Sequence, residues 1–565
     1  MSNGRLVLGD GHDATNDGSL SGQTNIVTGA HGVLSVDNVN DTTLSQNITG
    51  TGGLEVEHDG STVTLTGDKS YTGATSIDHG TLKLGDGTTN GHLTGTSGIA
   101  NNGALIIDNS DGTTLHDISG SGSFAQNGSG TTVLTGGNSY SGATNITNGT
   151  LQLGDGAGHD GTVSGTSNIV DNGVLAVNNT GVTTLHDISG SGSFAQNGSG
   201  TTVLTGGNSY TGATNITNGT LQLGDGAGHD GSISSSGEID NNGRLVVDNS
   251  TMETMLHNVT GSGSLTQQGS GKVTLVGSND YSGSTTIEAG STLQLGNGVQ
   301  NGTLSQSVIT DNGTLLLNNG TDGVVLHDIT GSGGLTQEGP GRVILIGTND
   351  YTGDTQINSG THLQLGDGRG HDGRLTNSAV HNNGDLTVNN ESDIVLHSMD
   401  GNGSLTLDGQ GRVTLAGGSA YKGPTIINNG QLQIGDGTND GSNVVLSGVN
   451  NITVNGNGSL IVDNTKDTTL SQEIAGTGHA TFQHGGSTIT IEHDDQNFTG
   501  QATIDHGVTL QLGNGTNAGH GFLNGSFDNE GALVVNNTGV TTLHDISGSG
   551  SFAQNGSGTT VLTGG

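Results

Sequence analysis

Hydrophobic and polar residues alternate in short runs along the whole chain. In STVTLTG, Val63 and Leu65 point to one side and the threonines to the other; in LQLG, Leu151 and Leu153 flank Gln152. A period of two is typical of a β-strand with one buried face. Asn-Gly, Asp-Gly and Gly-Ser pairs separate the runs, as expected where a chain turns and adopts positive φ. No stretch keeps a 3.6-residue period, so the pattern predicts an all-β protein.

These runs recur in a unit of about 70 residues. The phrase L-x-L-G-[DN]-G places its first glycine at positions 9, 85, 154, 224, 296, 366, 435 and 513. The 23 residues LHDISGSGSFAQNGSGTTVLTGG occur identically at 115–137, 185–207 and 543–565. The longer first and seventh copies carry Ser45-Gln46 and Ser471-Gln472 where the others carry histidine, which indicates two repeat subtypes. The repeats are 10–85, 86–154, 155–224, 225–296, 297–366, 367–435 and 436–513, with a partial copy at 514–565.

Short strands with frequent turns are compatible with a sandwich, a meander or a solenoid, and long-range repetition favours the solenoid. Pairs of the L-x-L type begin at 132, 151 and 175, and the first recurs at 202. If each pair marks the same wall, a repeat contains three coils of about 23 residues. We therefore predict one continuous right-handed, single-stranded parallel β-helix with about three coils per repeat. Its inward ladders should include Leu65, Leu134, Leu204, Leu275, Leu345 and Leu415.

Composition and charge narrow the class of protein. The chain has 109 glycines, two prolines and only 28% hydrophobic residues, which suits the narrow core of a solenoid. A net charge of −40 disfavours nucleic acid and anionic membrane surfaces as partners. The absence of cysteine excludes disulfides and thiolate metal sites. No run of 18 apolar residues is present, so no membrane insertion is expected.

The two ends of the chain lie within repeats. The start, MSNGRLVLGDG, lacks a basic region followed by an apolar stretch, so no signal peptide is expected in this chain. It matches the interior phrase NGTLQLGDG, and the chain stops inside the 23-residue phrase. We expect the chain to be an excerpt from a longer array.

The stretch GSGSFAQNGSGTTVLTGGNSYSGATNITNGTLQLGDG at 120–156 resembles the autotransporter-associated β-strand repeat, also called the passenger-associated transport repeat. Comparable matches recur in every complete copy. The resemblance implies the passenger of a Gram-negative autotransporter, folded as a right-handed parallel β-helix on the cell surface. It also implies roles in adhesion, autoaggregation or biofilm formation, and a translocator barrel in the outer membrane, outside this chain. The matching residues are Gly128, Gly130, Leu134, Gly136, Asn138, Tyr140, Gly142, Thr144, Ile146, Gly149, Leu151, Leu153 and Gly154.

The six tyrosines all occupy one position of the repeat. An aromatic residue there could bind a sugar or a protein; alternatively it covers the end of the core at a corner, with its hydroxyl in water. Recurrence once per repeat favours the architectural interpretation. The position is held by Tyr71, Tyr140, Tyr210, Tyr281, Tyr351 and Tyr421, and by Phe498 in the next copy.

A histidine follows leucine at a second recurring position. The triplet L-H-D suggests catalysis or metal binding, but a catalytic histidine needs a nucleophile and an orienting group, and zinc needs three or four converging ligands. Histidines three coils apart supply neither, so an exposed turn is expected. The position is held by His116, His186, His257, His327, His397 and His544.

Acidic turns rich in glycine occur at 9–18, 154–161, 224–231 and 435–441. Calcium prefers six to eight oxygen ligands, and neither the EF-hand order nor a nine-residue Gly-Asp tandem is present. We expect solvated turns, with weak Ca²⁺ binding as the alternative.

The sequence assigns no catalytic residue, cofactor or metal ligand. The predicted function is a structural and adhesive stalk segment that binds other copies, neighbouring cells or surface glycans. The alternatives are a β-helical polysaccharide-active enzyme, which would need a unique charged cluster in a groove, and a threonine-rich surface that binds glycan or ice. The largest departure from the repeat is a modest insertion at 436–458.

Overall fold

The computed structural model describes residues 3–22, 24–234, 237–304, 306–446, 450–516 and 520–564. The chain forms two compact units, Met1–Val273 with Asp280–Gly283, and Thr274–Asn279 with Ser284–Gly565. In both units, short strands pair in parallel with strands one coil away. The predicted all-β parallel β-helix is confirmed; its right-handed sense stays a prediction.

One repeat of the first unit shows how the alternating pattern becomes a coil. Its apolar residues face inward in runs such as Thr150–Leu153, where Leu151 and Leu153 are buried and Gln152 lies between them. Glycines at positive φ, such as Gly149 at +66°, close the turns between walls. The strands are Thr131–Asn138, Thr144–Ile146, Thr150–Leu153, Gly161–Val163, Ile169–Asp171, Val174–Val177, Val182–His186, Ile188–Ser189, Ser193–Gln196 and Thr201–Gly207.

Three strand segments form one coil, and each segment belongs to a different wall. Leu115 is in register with Leu134, then with Leu153, and then with Val177 on successive coils. Between Leu153 and Val177 the chain visits the other two walls, at Gly161–Val163 and Ile169–Asp171. The second unit shows the same ladder, in which Leu345, Leu365 and Val388 lie in register.

A repeat does not end on the wall where it began. Strand Thr131–Asn138 bends and supplies two wall segments, so ten segments separate Thr131 from Thr201, against three in a coil. A repeat therefore spans three coils plus one further wall. The L-x-L pairs at 132, 151 and 175 share one ladder, as predicted, but Thr202 pairs with Thr183 and Leu221 on the neighbouring wall. Residues at equivalent positions of consecutive repeats consequently lie on different walls.

The core is the stack of inward side chains along these walls. Leu65, Leu134, Leu204, Leu275, Leu345 and Leu415, all predicted to point inward, are each 0% exposed. Because the repeats rotate, Leu134 and Leu204 lie in different sheets. The residues are buried as predicted, although they do not form a single ladder.

Helical structure in the described ranges is confined to two single turns of 3₁₀-helix, Ala14–Asn16 and Asp440–Ser442. Both follow an L-x-L-G-D-G or Q-I-G-D-G phrase. In each, the preceding side chain caps the turn, as Asp13 accepts from the Thr15 N–H. The second turn lies in the predicted insertion at 436–458, of which residues 447–449 lie outside the described residues.

The rotation of the repeats gives a prediction about deletions. Removing 155–224 joins Gly154 to Asp225, and every strand then stacks on a neighbour with a native equivalent. Removing 154–216 instead takes out three whole coils, so the chain resumes on the wall at which it was cut. This deletion stacks Thr220–Leu223 on Gly136–Asn138, a pairing that neither strand makes in the native chain. We expect the first deletion to preserve circular dichroism per residue and cooperative melting, and the second to broaden the transition. Equal damage from both deletions would contradict the repeat as the unit of folding.

Candidate functional site

The tyrosine position is buried, which corrects the expectation of a hydroxyl in water. Tyr140 is 0% exposed, and its hydroxyl lies 2.7 Å from Thr144 Oγ1, which in turn lies 2.9 Å from Thr166 Oγ1. Burial raises the pKa of the Tyr140 hydroxyl. The ring stacks on Phe124 with centroids 6.0 Å apart. The tyrosine is architectural, as predicted, but it fills the core and cannot contact a ligand.

The L-H-D triplet lies at a corner between two sheets. His116 ends the strand Thr113–His116, and Asp117 adopts the left-handed conformation at φ +53°. The Asp117 carboxylate lies 3.0 Å from His116 Nδ1 and accepts from the Gly137 N–H, and these bonds hold the pKa of Asp117 below its usual value. His116 is partly exposed, in agreement with the predicted turn, whereas Nε2 of His257 is buried. The triplet therefore serves to turn the chain.

The acidic turns use their carboxylates internally. Asp155 accepts from the N–H groups of Ala157 and His159, and its second oxygen lies 2.6 Å from His159 Nδ1. These hydrogen bonds, the Ala157 N–H foremost, lower the pKa of Asp155. Asp160 accepts from the Thr180 and Gly181 N–H groups one coil on. Within the described ranges no three His, Asp or Glu side chains are placed to hold one metal ion. Weak Ca²⁺ binding stays a prediction.

Each repeat also contains a break in one wall. The sheet that ends with the strand Gly91–Leu93 is not joined by a backbone ladder to the sheet that begins with Thr113–His116 on the next coil. Asn109 spans the break, because its Oδ1 accepts from the Gly91 N–H at 2.9 Å while its Nδ2 donates to the Gly91 carbonyl at 2.8 Å. Nδ2 also donates to Thr113 Oγ1. The amide thus replaces a strand residue.

The bridging asparagine recurs and was missed by the sequence analysis. Asn179 and Asn249 make the same pair of bonds, to Gly161 and Gly231. The available signal was internal, since aligning the copies places an asparagine shortly before each strand that follows the break. The equivalent residues are Asn38, Asn109, Asn179, Asn249, Asn319, Asn390, Asn464 and Asn537.

Beyond the bridge, the two strands, which do not pair with each other, leave a cleft between them that we call the break cleft. In the first unit, one lies between His92–Thr94 and Gly112–Thr114, with His116 at its side and a volume of about 330 Å³. In the second unit, the equivalent cleft lies between Arg374–Thr376 and Asp393–Val395 and holds about 400 Å³. Both clefts therefore belong to the repeat pattern and do not interrupt it.

The break cleft of the second unit differs from that of the first in containing two arginines. Arg374 lies on one strand, and Arg412 lies on the strand after the cleft. Arg412 lies 3.5 Å from Asp393 Oδ2 and donates to Gln433 Oε1 at 3.0 Å. His397 completes the lining. Two of the chain's 11 lysines and arginines therefore meet in one cleft.

A second recurring position, called here the inner Asn/Asp position, is fully buried. Asn241 donates from Nδ2 to the Ser264 carbonyl one coil on, at 2.9 Å, and Asn101, Asn382 and Asn529 make the equivalent bond. Asp171 and Asp311 hold this position in two repeats. Each accepts one backbone N–H on Oδ1, and each has a buried Oδ2 without a hydrogen-bond partner. Burial raises the pKa of both carboxyls to about 6.

Comparisons with known proteins agree with this architecture. A family model of the passenger-associated-transport-repeat matches one segment in each of the first six repeats, at 59–84, 124–153, 194–223, 265–295, 335–361 and 405–434. The Adhesin BmaC autotransporter of Brucella suis biovar 1 (strain 1330) is 32% identical over 222 residues, which cover 33% of this chain and 6% of the relative. Within the described residues no helix has the length and hydropathy needed to cross a membrane.

The matched segments coincide with the structural repeat. The segment 124–153 begins at Phe124, passes through the buried Tyr140 and ends at the inward Leu153. It therefore contains the buried tyrosine and the L-x-L strand that recur along the chain, together with the Phe124–Tyr140 pair, which has its counterpart in Phe194–Tyr210. The chain therefore carries six copies of the passenger-associated-transport-repeat, as an autotransporter passenger does.

Proposed function

We propose that this chain is a structural and adhesive stalk segment of an autotransporter passenger at the bacterial cell surface, supporting adhesion, autoaggregation or biofilm formation. The observation that carries the proposal is the recurrence of one structural pattern from repeat to repeat. In that pattern the tyrosine, histidine and acidic-turn positions all have structural roles. The similarity to a protein named as an adhesin supports the adhesive role. The partners are other copies, neighbouring cells or surface glycans.

A catalytic function is less well supported. An enzyme on such a scaffold would need a charged cluster that interrupts the repeat, whereas the acid–base pair at the charged break cleft has equivalents elsewhere. Lys272 pairs with Glu253, and Arg342 with Asp322, at the positions of Arg412 and Asp393. We therefore propose a non-enzymatic role, and turnover of a polysaccharide that one substitution abolishes would overturn it.

Self-association of the chain tests the proposed adhesive role, and it should increase as the pH falls. The ordinary pKa of histidine is about 6.5, and full protonation of the 21 histidines would move the net charge from −40 to −19. Weaker repulsion between copies should follow. We expect light scattering at low salt to rise between pH 7.5 and pH 5. At high salt, where surface charges are screened, the pH effect should shrink. A flat profile at low salt would contradict the proposal.

A further inference from the structure

We propose that the break cleft of the second unit binds a single carboxylate-bearing sugar, such as a uronic acid. This proposal concerns a specific site and does not depend on self-association. It starts from the electrostatics of the cleft. Arg374 and Arg412 provide two permanent positive charges in a cleft whose lining contains one carboxylate, that of Asp393, and the neighbouring Asp372 carboxylate interacts electrostatically with Arg374. The net charge of the whole chain is −40.

The two guanidinium groups have donors to spare. The Arg374 side chain is exposed and has no hydrogen bond or ion pair to any described residue. Arg412 uses its terminal nitrogens on Asp393 and Gln433, while its Nε is buried and unpartnered. Guanidinium groups bind carboxylates through paired N–H donors, and this geometry gives specificity as well as affinity. An incoming carboxylate would supply acceptors to Arg374 and to the remaining N–H groups of the two Arg412 terminal nitrogens.

The rest of the lining suits a sugar ring. Thr376 and Thr414 contribute hydroxyls, and His397 contributes a ring nitrogen. Val395, 42% exposed, offers an apolar surface for the C–H face of the ring. A volume of about 400 Å³ lies within the usual range of small-molecule binding clefts and leaves room for one sugar unit.

The other repeats show that this combination is specific to one cleft. The residue equivalent to Arg374 is His92, Thr162, Ser232 or Thr303, and the residue equivalent to Arg412 is Thr131, Thr201, Lys272 or Arg342. Only the cleft at 374–414 has arginine at both positions. The net charge of −40 repels a long polyanion. The ligand expected is therefore one acidic sugar unit.

The test is saturation-transfer NMR on the full chain with D-glucuronate, with D-glucose as the neutral analogue and acetate as the bare carboxylate. We expect a glucuronate signal that weakens with added NaCl, and at least tenfold weaker binding in Arg374→Gln. Arg342→Gln is the matched control, because Arg342 lies at the Arg412 position of the preceding repeat, where Thr303 stands in place of Arg374. That control should bind like the parent chain.

Each remaining outcome has a defined meaning. Equal binding of glucose, or unchanged glucuronate binding in Arg374→Gln, would overturn the site. If acetate or a glutamate-rich peptide binds as tightly as glucuronate, the proposed specificity for a sugar is wrong, and the cleft is a general carboxylate-binding site. Because Arg374 is exposed and has no hydrogen-bond partner to lose, its substitution should not disturb folding, which circular dichroism checks. Failure of the glucuronate test leaves the pH-dependent self-association unaffected, so the two proposals can fail separately.

Discussion

Replacing Tyr140 with alanine should destabilise its repeat by about 3–5 kcal/mol, the usual cost of deleting a buried aromatic side chain. The ring is 0% exposed and stacks on Phe124. Its loss therefore opens a cavity in the narrow core enclosed by the walls of each coil. Each coil contacts only its neighbours, and the damage should therefore be local. Hydrogen exchange should accelerate in the coils around 118–171 and remain close to the parent rate beyond residue 300.

The chain contains its own control for the hydroxyl. Where Phe498 replaces the tyrosine, Ala502 occupies the position of Thr144, and both are 0% exposed. Thr144→Ala should cost about 1–2 kcal/mol, since it leaves the buried Tyr140 hydroxyl without its partner. Tyr140→Phe should cost less, about 0.5–1.5 kcal/mol, because the Thr144 hydroxyl keeps its contact with Thr166. The double variant should cost less than the sum of the two. Strict additivity would show that the 2.7 Å hydrogen bond contributes nothing to stability.

Replacing Asp171 with asparagine should stabilise the protein at neutral pH by about 3 kcal/mol, from a pKa about two units above the usual 3.8. Two changes contribute to this gain. The buried charge is removed, and the new amide can donate to the Ser193 carbonyl as the asparagines of sister repeats do. Asp311→Asn should act in the same direction in the second unit.

The gain should depend on pH in a defined direction. Because the folded pKa lies above the unfolded one, the folded state binds more protons between about pH 4 and pH 6, and the parent chain loses stability as the pH rises through that window. The advantage of Asp171→Asn should be full above about pH 6 and shrink towards pH 4. Asp495, whose pKa burial raises to about 8, adds a pH dependence that both chains share.

The reverse substitution is the matched control. Asn241→Asp places a carboxyl in an equivalent buried position and removes the donor to the Ser264 carbonyl. It should destabilise the first unit at pH 7.5 and recover part of that loss at pH 4.5. Urea unfolding at several pH values measures both variants. A destabilised Asp171→Asn at neutral pH would show that the carboxylate has a stabilising partner and would contradict the argument.

Part of the buried tyrosine site could be predicted from residues that recur together at a fixed spacing in the sequence. Every tyrosine is followed four residues later by threonine, and Phe498 is followed at that distance by Ala502, which indicates a buried hydrogen bond. The expectation of a solvated hydroxyl came from reading the tyrosine alone. In the same way, the alternation of asparagine and aspartate at the inner Asn/Asp position is visible along the chain. Its meaning depends on burial, which that alternation does not report.

The sequence by itself determined the strands, the parallel solenoid and the inward leucines, because a period of two and a 70-residue repeat leave few other ways to bury one face of each strand. Only the tertiary structure decided how the repeats rotate. That rotation arises because each repeat distributes ten wall segments over three walls, which leaves one segment beyond three whole coils. The same geometry ends one sheet and begins another in each repeat, so that Asn109 must bridge the break. It also brings Arg374 and Arg412, 38 positions apart in the chain, to one cleft.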